Sequence, residues 1–366
     1  MNQRFLDRVA HLKKPTFNGS YSNEDCVFLL KDITPHMEEE NNHVREEKMK
    51  EGVHYSEMLP IEQYPTEEYL EIFHHSLETT APQMAQYIAD VSNAILNDKG
   101  KDVVLVSLAR AGTPIGVLIK RYLYHRYGIV VPHYSISIIR GKGIDENALA
   151  YIIHRHQTTN LQFVDGWTGK GMIGKVLTES LKDFKAKYDI ELSDDLAVLA
   201  DPAHSSTIFG VREDYFLPSS CLNSIVSGLS SRTVMRDDLI GEYDFHGAKY
   251  YHEWEMKDLS NFFIEEVASH FERSIDRTHP KGVVTHAGWK EMQKIKEIFG
   301  VEDMNKIKPG IGETTRVLLR RVPWKILIKD FNATNMEHIF VLAEEKGVPL
   351  VHYPNMTYCC IGIIKE

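Results

Sequence analysis

The chain has 366 residues, of which 43% are hydrophobic and 26% are charged, and its formal net charge is -10. This length suits two domains with buried cores, the composition excludes a disordered chain, and the negative charge excludes a surface that is devoted throughout to nucleic acid or membrane. Residues 281–366 differ from the rest because they carry 13 Lys and Arg against 10 Asp and Glu.

The first part of the chain, residues 1–77, is polar and irregular. It is interpreted as an N-terminal extension that packs on the domain formed by residues 78–278, which we call the enzyme domain. Its run of alternating acids and bases at 37–51 predicts a solvated helix. A helical period then covers 81–97 and ends near Gly100, a residue suited to a helix C-terminus.

Strands and helices alternate in residues 78–278, which are predicted to form the enzyme domain. The predicted strands are 103–106, 133–139, 161–165 and 196–201, and the predicted helices between them are 115–128, 146–156 and 172–188. This order predicts an α/β fold with an open, mostly parallel sheet and helices on both faces. Ligands of such folds bind at the carboxyl ends of the strands, here after Ser107, Ile139 and Asp165.

The last part of the chain, residues 281–366, is predicted to be a small αβ domain. The segment 278–282 contains Pro and Gly and is the best candidate for a linker, because it interrupts the helical pattern. Beyond it we expect strands at 283–288, 325–330 and 348–354, and helices at 290–300, 314–322 and 335–347.

The segment FVDGWTGKG, residues 163–171, carries the sharpest chemical signal. A buried strand ends at Asp165, and a loop of Gly166, Trp167, Thr168, Gly169, Lys170 and Gly171 leads into a helix. Unpaired N–H groups and the helix dipole make such a helix start suitable for a phosphate. An acid beside it could accept hydrogen bonds from two ribose hydroxyls. The alternative is a glycine-rich turn with a capping threonine.

The segment SLARAGTPIG, residues 107–116, repeats this arrangement on another strand. Ser107, Arg110, Ala111, Gly112 and Thr113 would supply donors for a diphosphate. The alternative is a tight turn between a strand and a helix.

Together these segments resemble the diphosphate and PRPP loops of type I phosphoribosyltransferases. With HYSEM (54–58) and HYSISIIRGKGID (133–145), the resemblance is closer to the phosphoribosyltransferase-like proteins of bacterial tellurite-resistance stress operons. It covers most of residues 17–235. Proteins of this kind also carry a competing label, cysteine protease of the StiP family.

The resemblance implies a Mg²⁺-dependent enzyme that makes or breaks an N-glycosidic bond, using PRPP or a related ribose phosphate and an unidentified acceptor base. Asp165 would bind ribose and Mg²⁺, and residues 168–171 would hold the 5′-phosphate. Arg110 would face the diphosphate, while Arg140 and Lys142 would close over the site. The usual second acid of the PRPP loop is replaced by Gly166, and the loop is shorter than the family pattern.

A second reading is a hydrolase or protease that depends on Cys221, in the segment PSSCLNS. A thiolate nucleophile needs a base or a lowered pKa, and His204, His246 and His252 are the candidate partners. The four cysteines form neither a Cys-X-X-Cys pair nor a disulfide framework, which favours a reducing cytoplasm. The first residues contain no apolar h-region and no stretch is long enough for a membrane span, so we expect neither export nor membrane insertion. A third reading is a non-catalytic regulator that senses PRPP or binds RNA.

The C-terminal domain resembles the L7Ae/pelota RNA-binding fold through the segments 308–330 and 335–354. The resemblance assigns RNA contact to the glycine-rich turn and the helix after it, namely Lys308, Gly310, Gly312, Glu313, Thr314, Arg316 and Arg320. Arg321 and Lys325 add positive charge. The alternative is a small αβ domain that packs on the enzyme domain or forms a homodimer.

Overall fold

A computed structural model of the protein describes residues 2–220, 222–277 and 281–365, without the side chain of Thr334. The helices are α1 (Gln3–His11), α2 (Asn42–Lys50), α3 (Glu67–Lys99), α4 (Gly112–Tyr127), α5 (Glu146–His156), α6 (Met172–Tyr188), α7 (Ser260–Ala268), α8 (Ala287–Phe299), α9 (Ile311–Arg320) and α10 (Glu337–Glu345). The strands are β1 (Val27–Phe28), β2 (Lys31–Asp32), β3 (Glu39–Glu40), β4 (Leu59–Pro60), β5 (Val104–Ala109), β6 (His133–Ile139), β7 (Gly143–Ile144), β8 (Leu161–Trp167), β9 (Leu196–Ala200), β10 (Ile208–Val211), β11 (Gly247–Ala248), β12 (Ile307–Pro309), β13 (Pro323–Ile328), β14 (Leu350–His352) and β15 (Cys360–Ile364).

The main sheet has the strand order β1-β6-β5-β8-β9-β10, and all of these pairs are parallel. The short strand β7 pairs antiparallel with β6. Helices α3, α4 and α7 pack on one face, and α1, α5 and α6 pack on the other. The predicted α/β fold with a mostly parallel sheet flanked by helices is therefore confirmed.

Local sequence explains where the helices beside the predicted loops begin and end. The Asp145 side chain accepts a hydrogen bond from the Ala148 N–H at 3.0 Å and thereby caps the start of α5. Gly171 precedes α6 in the left-handed region, with a φ of 75°, and Gly100 ends α3 with a φ of 73°. These residues fix the points where the chain leaves the sheet.

Residues of the predicted N-terminal extension take part in the sheet itself. Strand β1 is its outermost member and pairs Val27 with Tyr134 of β6. The helix predicted at 37–51 is shorter, because β3 occupies Glu39–Glu40 and α2 begins at Asn42. Helix α3 begins at Glu67, well before the expected start at 81, and runs to Lys99.

The C-terminal domain is a four-stranded sheet, in the described residues, with the order β12-β15-β13-β14. Helices α9 and α10 lie together against it. The strand predicted at 283–288 is wrong, because these residues form no strand and α8 already begins at Ala287. The two domains share a hydrophobic core. Ile311 and Leu318 of α9 belong to the same cluster of buried apolar side chains as Phe216 and Leu217 of the enzyme domain. The predicted linker includes residues 278–280, which lie outside the described ranges, and the exact division into domains stays a prediction.

Candidate functional site

The loop after β5 turns most of its polar side chains toward the interior. Ser107 is fully buried and donates to the Gly112 carbonyl at 3.0 Å. Thr113 is also fully buried, and its hydroxyl lies 2.8 Å from that of Ser135. Within this loop Ala111 is exposed and Arg110 is half-buried. The diphosphate-binding role expected for Ser107, Gly112 and Thr113 stays a prediction.

Ser107 also forms a hydroxyl–imidazole pair, with Nε2 of His133 at 2.8 Å. The other ring nitrogen, Nδ1, lies 2.8 Å from the backbone carbonyl of Asp25. Such a pair has the geometry of a nucleophile and its base, but both side chains are buried and a substrate cannot reach them. Burial lowers the pKa of His133 to about 4, so the ring is neutral. The pair joins the neighbouring strands β5 and β6.

The loop after β8 lies directly beside the first loop. A Cβ added to Gly112 would stand 2.4 Å from the Val164 carbonyl oxygen and 3.1 Å from the Asp165 Cα. Asp165 is half-buried and accepts a hydrogen bond from the Gly166 N–H at 2.7 Å. Burial raises the pKa of Asp165 to about 7. The structure thus brings together the two loops that the sequence singled out.

The polar groups at the end of the second loop bind other parts of the protein. The Thr168 hydroxyl donates to the buried Asp201 carboxylate at 2.5 Å. Tyr358 of the C-terminal domain donates its hydroxyl proton to the Gly169 carbonyl. Lys170 donates to the Met304 carbonyl in the same domain. The loop that was predicted to cradle a phosphate is covered by the C-terminal domain.

The loop with Arg140 and Lys142 rests on the HYSE segment. The Arg140 N–H donates to the Tyr55 hydroxyl at 2.9 Å, and Lys142 pairs with Glu57 at 3.7 Å. Arg232 lies over the same tyrosine ring, 4.9 Å from its centroid. Tyr55 and Glu57 thus contact the loop of Arg140 and Lys142, and Arg232, which no sequence motif indicated, joins them.

Arg110 connects the first loop to the segment that follows Cys221. Its guanidinium donates to Glu62 at 3.2 Å, to the Ser224 hydroxyl at 3.2 Å and to the Ser230 carbonyl at 3.1 Å. Burial alone would raise the pKa of Glu62, but Arg110 and Arg320 outweigh it and lower that pKa. Glu62 is therefore an anion held by two arginines.

A cavity of about 260 Å³ lies between the two domains, and we call it the cationic cleft. Within the described ranges, its basic side chains outnumber its acidic ones by seven to two. It is lined by Asn42, Arg45, Pro60, Ile61, Glu62, Arg110, Asn223, Arg232, Lys308, Glu313, Arg316, Val317, Arg320, Arg321 and Ile364. This concentration of positive charge contrasts with the net charge of -10 of the whole chain.

The glycine-rich turn of the C-terminal domain faces the enzyme domain. A Cβ added to Gly312 would stand 2.3 Å from the Ser220 hydroxyl oxygen. Asp214 accepts hydrogen bonds from the N–H groups of Ile311 at 3.2 Å and Cys359 at 2.8 Å. The predicted RNA-contacting residues on this turn therefore form a wall of the cleft or the contact between domains.

The structure describes three of the four cysteines, and each of the three is at least half-buried. Cys26 and Cys360 are buried, and burial raises both thiol pKa values well above their usual range. Cys359 is half-buried, and burial followed by the nearby Asp214 raises its pKa to about 11. Cys221 lies outside the described residues.

Two of the three histidines proposed as partners of Cys221 lie beside other side chains. His246 is buried, with its Nδ1 2.8 Å from the Ser137 hydroxyl. His252 is exposed and lies 3.1 Å from Glu255. His204 is half-exposed, and burial together with Arg212 lowers its pKa. Their role in catalysis stays a prediction.

A helix-flanked, mostly parallel sheet with a small αβ domain over its loops defines a two-domain α/β protein. The family described as "Tellurite-like stress resistance cysteine protease StiP" matches residues 19–268, and the "PELOTA RNA binding domain" matches residues 286–366. The protein named cysteine protease StiP of Acinetobacter baylyi is 34% identical over 342 residues, which cover 87% of this chain and 85% of that relative. The chain belongs to the StiP family and carries a PELOTA domain.

These comparisons correct the functional prediction. The family and the relative are both named as cysteine proteases, so the predicted Mg²⁺-dependent phosphoribosyltransferase is wrong, and the names favour the cysteine hydrolase given as the alternative. PRPP and an acceptor base find no support in them. The links to tellurite stress resistance and to a PELOTA domain are confirmed.

Two further predictions concern a metal ion and a membrane. In the described part of the chain, no group of three or more His, Cys, Asp or Glu side chains is placed to hold a metal ion. The assignment of Mg²⁺ to Asp165 stays a prediction. Across the same residues, no helix combines the length and apolar character needed to cross a membrane.

Proposed function

We propose that this protein is a cysteine-dependent hydrolase that cleaves peptide bonds, with Cys221 as its nucleophile. The observation that carries the proposal is the state of the other thiols. A cysteine attacks as a thiolate, and the raised pKa values of Cys26, Cys359 and Cys360 disfavour that form. The name of the relative and the family description support peptide hydrolysis as the reaction.

The neighbours of Cys221 in the sequence support a reactive thiol at this position. Asn223 lines the cationic cleft, and Ser224 is hydrogen-bonded to Arg110. Positive charge near a thiol stabilises its thiolate and lowers its pKa. The cleft would therefore favour the ionised form of a nearby cysteine near neutral pH.

The reaction would follow the usual course of thiol catalysis. The thiolate adds to the scissile carbonyl carbon, the C–N bond breaks, and the amine leaves with a proton. Water then cleaves the thioester and releases a carboxylic acid and the free thiol. No cofactor enters this sequence of steps.

The test compares two single-atom changes in the full chain. Cys221→Ser should abolish hydrolysis of a fluorescently labelled casein, because a serine hydroxyl does not ionise at neutral pH. Cys359→Ser is the matched control and should retain the activity, since that thiol is a poor nucleophile at this pH. Circular dichroism verifies that both variants are folded. Hydrolysis that survives Cys221→Ser would refute the proposal.

We also propose that the PELOTA domain binds single-stranded RNA at Trp324 and Lys325, on β13. The indole is 39% exposed, and the Lys325 ammonium lies 3.7 Å from its ring centroid. Bases stack on exposed aromatic rings, and a neighbouring cation attracts the phosphates. This surface supports the RNA binding that the name of the domain suggests.

We test this second proposal by measuring the affinity for a labelled RNA oligonucleotide with a 5′-hydroxyl end, using fluorescence anisotropy. Trp324→Ala should weaken binding by roughly tenfold, the usual size of one stacking contact. Val341→Ala, also on an exposed apolar side chain of this domain, is the control and should leave binding unchanged. Equal binding by wild type and Trp324→Ala would contradict the proposal that RNA stacks on Trp324.

A further inference from the structure

Two arginines deep in the cationic cleft have only part of their guanidinium donors satisfied, since Arg45 donates to the Asn42 side chain and Arg232 to the Tyr55 carbonyl through one terminal nitrogen each. Arg45 is only 7% exposed, and among the described residues its Nε has no hydrogen-bond acceptor. The Nε of Arg232 is buried and in the same state. Unsatisfied buried donors are costly and are rare in folded proteins, so each one calls for an explanation.

Like charges add to this cost. Burial, followed by Arg45 and Arg110, lowers the pKa of Arg232 to about 10. Burial and then the positive Arg321 lower the pKa of Arg45. The two carboxylates of the cleft are already paired, Glu62 with Arg110 and Glu313 with Arg316. An anion from solution would supply the missing acceptors and offset the repulsion.

The two domains contribute opposite walls of this cavity. Arg45 and Arg232 come from the enzyme-domain side, while Lys308, Arg316 and Arg321 come from the C-terminal domain. Guanidinium groups bind phosphate oxygens in pairs of parallel hydrogen bonds, which makes arginine the usual residue for phosphate recognition. Arginines on two facing walls suit a ligand with several phosphates in a row.

We propose that the cationic cleft binds a compact polyphosphate, of the kind carried by nucleoside diphosphates and triphosphates. The volume of about 260 Å³ is small for a ligand pocket, so the ligand must concentrate its charge. A phosphate group carries up to about two negative charges and three acceptor oxygens. Each carboxylate of an acidic peptide carries about one negative charge, and successive carboxylates lie farther apart than successive phosphates of a polyphosphate. An acidic peptide therefore fits this cavity less well.

The site is independent of peptide hydrolysis, but one of its residues is close in sequence to the proposed nucleophile. Asn223 lines the cleft and is two residues from Cys221. A bound polyphosphate would neutralise positive charge beside this segment and bridge the two domains. If Cys221 is the nucleophile, the ligand should reduce its reactivity.

Calorimetric titration of inorganic tripolyphosphate into the full chain tests the proposal without any contribution from base or ribose. We expect saturable binding that weakens as salt increases, and comparable binding of ATP. Arg321→Gln should weaken it by roughly tenfold, because a hydrogen bond to a charged group contributes about that factor. Arg321 is exposed, so this variant should fold normally. Arg45→Gln is the variant at the buried position and should weaken binding at least as much.

Arg273→Gln is the matched control, because it removes one exposed arginine outside the cleft. It should bind tripolyphosphate as wild type does, and so should Cys221→Ser, which separates this proposal from the proposed peptidase activity. No binding of tripolyphosphate, or equal loss in Arg321→Gln and Arg273→Gln, would overturn the proposal. Binding of a poly-glutamate peptide or of 5′-hydroxyl RNA in place of tripolyphosphate would overturn it as well.

Discussion

The two glycine-rich loops of the main sheet end in different surroundings. After β5, the hydroxyls of Ser107 and Thr113 turn inward and bind side chains of β6. After β8, Thr168 binds the buried Asp201, but Gly169 and Lys170 are covered by the C-terminal domain, where Tyr358 binds Gly169. A glycine-rich turn lets the main chain closely approach either a ligand or another part of the protein. Here it approaches another part of the protein.

The glycines show this directly. Gly112 lets the first loop approach the main chain of the second, since a Cβ would stand 2.4 Å from the Val164 oxygen. Gly312 does the same between domains, facing the Ser220 hydroxyl. Both residues were predicted to serve a ligand, and both have a packing role that the sequence alone cannot distinguish from it.

The largest expected effect comes from adding a methyl group at the contact between the two loops. Gly112→Ala should lower the free energy of unfolding by about 3 kcal/mol, because the new methyl group meets main chain that cannot move aside. Gly174→Ala in α6 is the matched control, since open space surrounds that position, and it should be neutral or slightly stabilising. Urea denaturation measures both. Equal midpoints would show that the loops do not depend on this contact.

An intermediate effect is expected where the C-terminal domain meets the enzyme domain. Asp214→Ala should cost about 2 kcal/mol, because the Ile311 and Cys359 N–H groups lose their acceptor. Hydrogen exchange of these two amides should become faster. Asp214→Asn keeps one carbonyl oxygen and should lie between wild type and Asp214→Ala. Unchanged exchange in both variants would mean that other contacts hold the domains together.

The smallest effect concerns pH and the second loop. Burial raises the pKa of Asp165 to about 7, so the folded protein binds this proton more tightly than the unfolded chain does. Stability should then fall as the pH rises from about 4 to about 7, and the loss should stay constant above that range. Asp165→Asn avoids this loss and should be more stable than wild type at pH 8, but not at pH 4. The full shift would correspond to about 4 kcal/mol, but the Asp165 side chain keeps partial contact with water, so we expect on the order of 1 kcal/mol.

Thermal denaturation at the two pH values provides the measurement. Asp183→Asn, on the exposed face of α6, is the control and should differ from wild type equally at both. A constant difference for Asp165→Asn as well would show that folding does not change the pKa of the Asp165 carboxyl.

Much of the fold could be predicted from local patterns. The bounds of β6, α5 and α6 were predicted to the residue, because an isoleucine-rich strand segment and two amphipathic helical periods have clear ends. It misses the place of β1, since the pairing of Val27 with Tyr134 spans more than a hundred residues and leaves no local periodicity. Strand β15 was missed as well, in the segment that contains Cys360.

The candidate site was predictable in part. The sequence places the loops after β5 and β8 side by side, because the carboxyl ends of neighbouring parallel strands meet at one edge. The cationic cleft could not be foreseen, since its arginines come from positions as distant as Arg45, Arg232 and Arg321. Only the docking of the C-terminal domain brings them together.

Trp167 gives the contact between the domains a spectroscopic signature. A Cβ added to Gly310 of the C-terminal domain would stand 3.1 Å from this indole ring, and the chain has four tryptophans in all. Separation of the domains would expose the ring to water and change its emission. With the other three tryptophans replaced by phenylalanine, the intrinsic fluorescence of Trp167 would report, without an added label, whether the C-terminal domain is seated.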